Sequence, residues 1–296
     1  YVSRETFQFF RVQKNKFVSC ETLKLPWDTA IIFSLINAGR KNMAKIIAIA
    51  NQKGGVGKTT TCVNLCAALT MLGRRTLMAD CDPQGNASSG MGVSKSRRPN
   101  TYDLLINDAS VQECIVHTNY GDVIPTGKEL AAASVELIGT ERREYVLKEA
   151  LMSLFSDYDY IFLDCPPSLE LLTVNALVAA DSVLVPMQCE YYALEGLSQL
   201  MSTIKQVKRL YNPVIELEGI LLTMYDRRLK LTEQVEEEVK THFPDKVYKT
   251  IIPRNVRLSE APSFGMPALY FDPHSRGSRA YQELTKEILK KYRNQK

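Results

Sequence analysis

The stretch AIANQKGGVGKTTT, residues 48–61, carries two lysines five positions apart around a glycine-rich turn. The common phosphate-binding pattern is G-x-x-x-x-G-K-[ST]. Aligning its end on Gly57-Lys58-Thr59 puts Gln52 where the first glycine is required. What stands instead is K-G-G-x-G-K-T: Lys53 leads, Gly54, Gly55, Val56 and Gly57 form the turn, and Thr59 and Thr60 follow Lys58. The preceding run KIIAIA (45–50) predicts a buried strand, and Lys58 to Leu72 predicts a helix that stops before Gly73. Backbone N–H groups of a turn between strand and helix, together with the positive end of the helix dipole, make a concave anion site. In such a site Lys58 reaches the β- and γ-phosphates and the Thr59 hydroxyl ligates the magnesium that accompanies them. Seven specified positions between a strand and a helix weigh against the plainer alternative, a turn rich in glycine for steric reasons alone.

Outward from this loop, apolar runs of strand length alternate with helical patterns. The runs are RTLMAD (75–80), DVIP (122–125), YDYIFLD (158–164), SVLVPMQ (182–188), LEGILLTMY (217–225) and VYKTII (247–252); helix-length segments include 128–155, 194–210 and 231–242. Continuously apolar strands alternating with helices predict an α/β fold: a mostly parallel, doubly wound sheet with helices on both faces. Ligands of such sheets sit at the carboxyl ends of the strands, where the glycine-rich turn falls. Two more strand ends carry carboxylates there, Asp80 and Asp82 in ADCDPQGN and Asp164 in IFLDCPPS. Asp164 is placed to hold magnesium through water, and Asp82 to orient the attacking water and reach the ion through water. For each, a solvated aspartate capping the next element is the alternative.

With 296 residues, 45% of them hydrophobic and 24% charged, the chain has the composition of an ordinary globular protein with one large core. The formal charge of +4 resides in residues 1–42, which hold seven Lys/Arg against three acids; thirty of each remain in the rest. A neutral body has no net field to draw nucleic acid, so any such binding must come from clustered arginines. Seven cysteines without C-x-x-C spacing and three scattered histidines predict a reduced cytoplasmic compartment, with neither a disulfide framework nor a structural metal. Residues 1–42 lack periodicity and precede Met43-Ala44-Lys45. They are expected to be a mostly disordered arm or a start-site artefact, ahead of a single domain over 43–296.

At KGGVGKTTT, DCDPQGN, IFLDCPPS, QCEYYALEGLSQL and IPRNVRLSEAPSFGMP, the chain closely resembles the ParA/Soj group of ATPases of the P-loop type with a deviant Walker A motif, from Met43 to about Leu289. The resemblance implies that ATP with Mg2+ is bound and slowly hydrolysed. It implies that Lys53 is the signature lysine, crossing a homodimer interface to the phosphates of the other subunit. A well-placed cation supplied in trans is worth about 10³–10⁵ in rate. The resemblance further implies non-specific DNA binding by the ATP-bound dimer through Arg228 and Arg257, adenine-side contacts at Pro253 and Asn255, a ParB-like centromere-binding partner that stimulates hydrolysis, and a cytoplasmic, nucleoid-associated location in chromosome or plasmid partitioning. Against these stand plainer readings: the arginines pair with Asp226 and Glu260, and Tyr191 and Tyr192 merely pack.

Two rival functions share the fold. A membrane-associated positioning ATPase like MinD would use the tail, in which Tyr281, Leu284, Ile288 and Leu289 share one helical face. That face is narrow and is expected to dock inward, so no membrane partner is expected. A metabolic ATP-using enzyme, or a protein holding an iron–sulfur cluster, would need a substrate domain or a cysteine pair that the sequence does not display.

Overall fold

Strand and helix alternate through residues 43–293, the part of the chain that the computed structural model describes. The arm or artefact expected at residues 1–42 lies outside the described residues. Six strands, β1 (Lys45–Ile49), β2 (Thr76–Asp80), β3 (Asp122–Ile124), β4 (Tyr160–Asp164), β5 (Ser182–Gln188) and β6 (Glu216–Thr223), form one sheet in the order β3-β2-β4-β1-β5-β6. Every strand pairing in it is parallel. The longer helices are α1 (Lys58–Met71), α2 (Leu171–Ala179), α3 (Ala193–Leu210), α4 (Lys230–His242) and α5 (Arg276–Arg293).

The strands read as continuously apolar because both faces are covered. In β1, Ile46 and Ala48 enter one core while Ile47 and Ile49 enter the other; in β4, Ile161 and Leu163 oppose Tyr160 and Phe162 in the same way. The first core is closed by α2 and α3 through Ala176, Leu197, Leu200 and Ile204. The second is closed by α1 and α5 through Leu65, Leu69, Tyr281, Leu284 and Ile288. The chain steps from β1 outward to β2 and β3, then returns to β4 beside β1 and continues through β5 to β6. Sequence order therefore reverses around β1, and the loop after β1 opens at the carboxyl ends where that reversal leaves a crevice.

Two sequence-based expectations are corrected. VYKTII (247–252) is not a strand: Val247 makes one isolated bridge to Ile220, and Tyr225 one to Pro253. Midway, the Lys249 and Thr250 N–H groups donate to the Glu287 carboxylate of α5 (2.8 and 3.0 Å), so they are lost to a ladder with β6. Residues 128–155 are not one helix but Leu130–Glu136 and Val146–Leu151, each followed by a 3₁₀ turn. The break spans Gly139 and the turn in which Arg142 adopts φ +54°.

The tail docks inward. Tyr281, Leu284 and Ile288 are buried, and the Tyr281 hydroxyl hydrogen-bonds the Thr61 hydroxyl of α1 at 3.0 Å. Its last turn is pinned by Lys291, which pairs with the buried Glu218 of β6 at 2.7 Å. No helix among the described residues is long and apolar enough to cross a membrane.

Candidate nucleotide site

The loop after β1 is held from both neighbouring strands. Asn51, buried, donates from Nδ2 to the Pro186 carbonyl of β5 (2.7 Å) and accepts from the Lys53 N–H (2.9 Å). From β6, the Thr223 hydroxyl donates to the Val56 carbonyl at 2.7 Å. Gly55 and Gly57 have φ +74° and +88°, the left-handed region in which a side chain is strained. Crowding is not the reason for these glycines: a Cβ on Gly55 would meet nothing within 4 Å, and one on Gly57 only Thr223 and Met224 near 3.9–4.0 Å. Gly57 caps α1 without any side-chain hydrogen bond, so the first N–H groups of a 14-residue helix face the turn. That open cradle has the shape and polarity for a phosphate chain.

Lys58 is buried and folds back over the loop, donating from Nζ to the Lys53 carbonyl at 2.9 Å. Burial lowers its pKa, a cost only partly offset by the nearby Asp164, Cys165 and Asp82. A desolvated ammonium beside an anion cradle favours the arrival of negative charge. Lys53 takes another course: its side chain, 40% exposed, leaves the loop and pairs with Glu190, just before α3.

On the floor, the Thr59 hydroxyl donates to Asp164 Oδ2 at 2.8 Å. The other Asp164 oxygen, Oδ1, is buried without a hydrogen-bond partner. Burial, then the neighbouring Asp80, raises the Asp164 pKa well above the usual carboxylate range. An orphaned carboxylate oxygen beside a threonine hydroxyl is a hard-oxygen pair of the type magnesium takes, so the residues present fit that ion. Register explains the meeting: Asp80 and Asp164 are paired residues at the ends of β2 and β4.

Asp80 is fully buried and accepts from the Ser88 N–H (2.8 Å), the Ser88 hydroxyl (2.7 Å) and the Asp82 N–H (3.2 Å). Desolvation pushes its pKa up to about 6, against those hydrogen bonds. It thereby ties down the turn that bears Asp82, which in turn accepts from the Gln84 N–H at 3.0 Å. The turn continues into a short helix, Asn86–Gly90.

Loop, Lys58, Thr59, Asp82 and Asp164 thus converge, but the remaining candidates are apart in character. Pro253 follows the Ile252 contact with β6, and Asn255 spends its side chain capping the helix Val256–Glu260 by accepting from the Arg257 N–H at 3.0 Å. Arg228 pairs with Asp226 (2.6 Å), while Arg257 pairs with Glu260 (2.8 Å) and Asp272 (3.3 Å). Tyr191 and Tyr192 do not pack into the core: they are exposed and meet edge to face, 5.0 Å between centroids. Sequence reasoning missed Asn51, Thr223 and Glu190. A polar residue directly after an apolar strand was the available signal for Asn51; for the other two, only the fold shows what they touch.

A glycine cradle at the switch point of a parallel sheet, with a threonine hydroxyl on a buried strand-end aspartate, defines a P-loop nucleotide-binding protein. The family described as an AAA domain matches residues 44–217. The chain is 57% identical over 249 residues to the sporulation initiation inhibitor protein Soj of Bacillus subtilis, covering 83% of this chain and 98% of that one. It is 51% identical to the chromosome partitioning protein ParA of Myxococcus xanthus, covering 88% and 94%. Among solved structures, cobyrinic acid a,c-diamide synthase of Mycobacterium smegmatis with bound ADP and magnesium is similar with a TM-score of 0.75 and 36% identity, covering 86% and 97%. The septum site-determining protein MinD of Pyrococcus horikoshii, complexed with Mg-ADP, gives 0.70 and 26%, covering 83% and 96%. This chain belongs to the ParA/Soj family of partitioning ATPases.

Proposed function

We propose that this protein is an ATP-dependent dimerising switch that binds DNA non-specifically in its ATP state and hydrolyses ATP to drive chromosome or plasmid partitioning. The observation that carries it is the divergence of the two lysines: Lys58 closes over the loop, whereas Lys53 leaves it half-exposed, available to a second copy. Lys58 and the N–H groups from Gly54 to Thr60 hold the phosphates. Thr59 and the free Asp164 Oδ1 are the residues for magnesium, which neutralises phosphate charge when bound. Asp82, on the turn tethered by Asp80, orients the attacking water. Pro253 and Asn255 lie on the adenine side, and Arg228 and Arg257 contact DNA phosphates.

Hydrolysis is slow in the isolated protein because the transition-state charge is incompletely met until Lys53 arrives from the partner subunit. A ParB-like protein stimulates it, and cycling on and off the nucleoid follows from assembling and dissolving the dimer. The relatives named as Soj and ParA support this reading, and so does the inward docking of α5, whose apolar face is used up within the fold. The test is sedimentation with ADP and with a slowly hydrolysed ATP analogue. The parent is expected to dimerise with the analogue only. Lys53→Ala is expected to bind nucleotide yet stay monomeric and hydrolyse at background rate. A Lys53→Ala protein that dimerises and turns over like the parent would refute the proposal.

A further inference from the structure

The segment that leads into Pro253 and Asn255 runs beside β6 without joining the sheet, and its hydrogen bonds slip partway along. The Ile220 N–H donates to the Lys246 carbonyl (2.7 Å), and the Tyr248 N–H to the Ile220 carbonyl (2.9 Å). In an unbroken parallel ladder the Thr250 N–H would come next, donating to the Leu222 carbonyl. That carbonyl instead receives the Ile252 N–H at 2.9 Å, two residues later. Bridging then resumes at Tyr225, beside Pro253, past Met224, whose φ of +48° turns the chain at the end of β6.

The surplus backbone is held by α5. Glu287, half-buried, accepts from the Lys249 N–H (2.8 Å) with one carboxylate oxygen, and from the Thr250 N–H (3.0 Å) and hydroxyl (2.7 Å) with the other. Hydrogen bonds to an ionised acceptor are the strong ones. The helix that carries Glu287 is itself tied down on either side of it. Tyr281 bonds Thr61 of α1, the helix that opens at Lys58, and Lys291 pairs with Glu218 of β6. A carboxylate on so anchored a helix has a fixed place relative to the phosphate loop, and it passes that place on to the segment it holds.

Satisfying two N–H groups does not by itself call for a carboxylate, since the Leu222 carbonyl or water can take them. What Glu287 adds is a set length of chain. With the surplus stored around Lys249 and Thr250, Ile252 enters the second core and Pro253 leaves beside Tyr225. Two strand residues span about 6.6 Å, far beyond the tolerance of about 0.5 Å within which a binding group must be held.

We propose that Glu287 is a positioning residue for nucleotide selection: through Lys249 and Thr250 it sets where Pro253 and Asn255 meet the base, without touching the nucleotide itself. The inference rests on the reading of Pro253 and Asn255 as adenine-side residues and gives α5 a part in choosing the base, separate from the phosphate and magnesium contacts.

The test measures the affinity of the full-length protein for ATP and for GTP, both with magnesium, together with steady-state ATP hydrolysis. The proteins are the parent, Glu287→Ala, Glu287→Gln and Pro253→Ala/Asn255→Ala. GTP keeps the ribose and the triphosphate and changes only the base, so the ratio of the two affinities reports the base contact. Glu287→Ala is expected to lose about tenfold of the parent's preference for ATP, the size of one lost hydrogen bond. KM for ATP should rise while kcat is retained. Glu287→Gln, which keeps one acceptor oxygen, should fall between. Glu287 variants that keep the parent's preference while Pro253→Ala/Asn255→Ala loses it overturn the positioning role and leave the adenine side standing. A parent that binds ATP and GTP alike, or a Pro253→Ala/Asn255→Ala protein that keeps the preference, overturns the adenine side and the positioning role together. Equal losses of ATP and GTP affinity in the Glu287 variants mark a merely structural role and also overturn the proposal.

Discussion

At the end of β1 the chain is fixed from several sides: Asn51 to Pro186, Thr223 to Val56, Thr59 to Asp164. Around residues 225–279 the arginines instead stand in solvent, and Arg228 and Arg257 are held there by Asp226, Glu260 and Asp272. The first region is specified by backbone conformation and burial, the second by which segments the fold brings side by side. Surface ion pairs contribute little to stability and are screened by salt, so a phosphate can displace Asp226 or Glu260 at small cost. The proposed switch, with one precise ligand and one non-specific ligand, would use a rigid nucleotide site and an adaptable phosphate surface.

The sharpest break of this comparison is Lys58→Ala. Removing a buried cation that partners a phosphate costs about 2–5 kcal/mol, so nucleotide affinity is expected to fall at least about 30-fold by calorimetry. Binding within a few-fold of the parent would show that the rigid region is not the phosphate site.

Next in size is a pH effect at Asp80. Its folded-state pKa is raised to about 6 by burial, from an ordinary value of 3.8. The folded state therefore holds a proton that the unfolded chain releases, and this group's contribution to stability declines as pH rises from about 4 to 6 and then levels. Asp80→Asn removes the titration. Its stability relative to the parent, from denaturant unfolding without nucleotide, is expected to increase across that window. A difference that stays flat with pH would contradict the burial of an ionisable Asp80.

Smaller still is the contrast between two glycines. Gly57→Ala forces a side chain into φ +88° and is expected to cost about 1–3 kcal/mol, a fall of several degrees in Tm. Gly54→Ala, without a positive φ and with only Pro167 at 4.0 Å, should change Tm far less. Equal effects would mean that conformation does not distinguish these positions. The smallest expected change is in Arg228→Ala, whose Tm should match the parent's because its ion pair is exposed. A large loss would move Arg228 from the adaptable region to the rigid one.

Much of the rigid region was legible because geometry demands particular residues there: glycine where φ is positive, lysine and threonine at the start of α1, aspartate at the ends of buried strands. The strand pattern also read well, since a parallel sheet covered on both faces leaves uninterrupted apolar runs. VYKTII misled because its apolar pattern cannot reveal that Glu287, some forty residues later, takes the backbone donors. Glu190 stayed hidden for the same reason, as its meeting with Lys53 depends on β5 lying beside β1.

The measurement that bears most directly on the switch is duplex DNA binding by the purified protein with ADP, with ATP and with a slowly hydrolysed analogue, at two salt concentrations. The account predicts binding that requires triphosphate, weakens with salt and is lost in Arg228→Glu/Arg257→Glu. Binding of equal strength with ADP and triphosphate, or none with either, would contradict it.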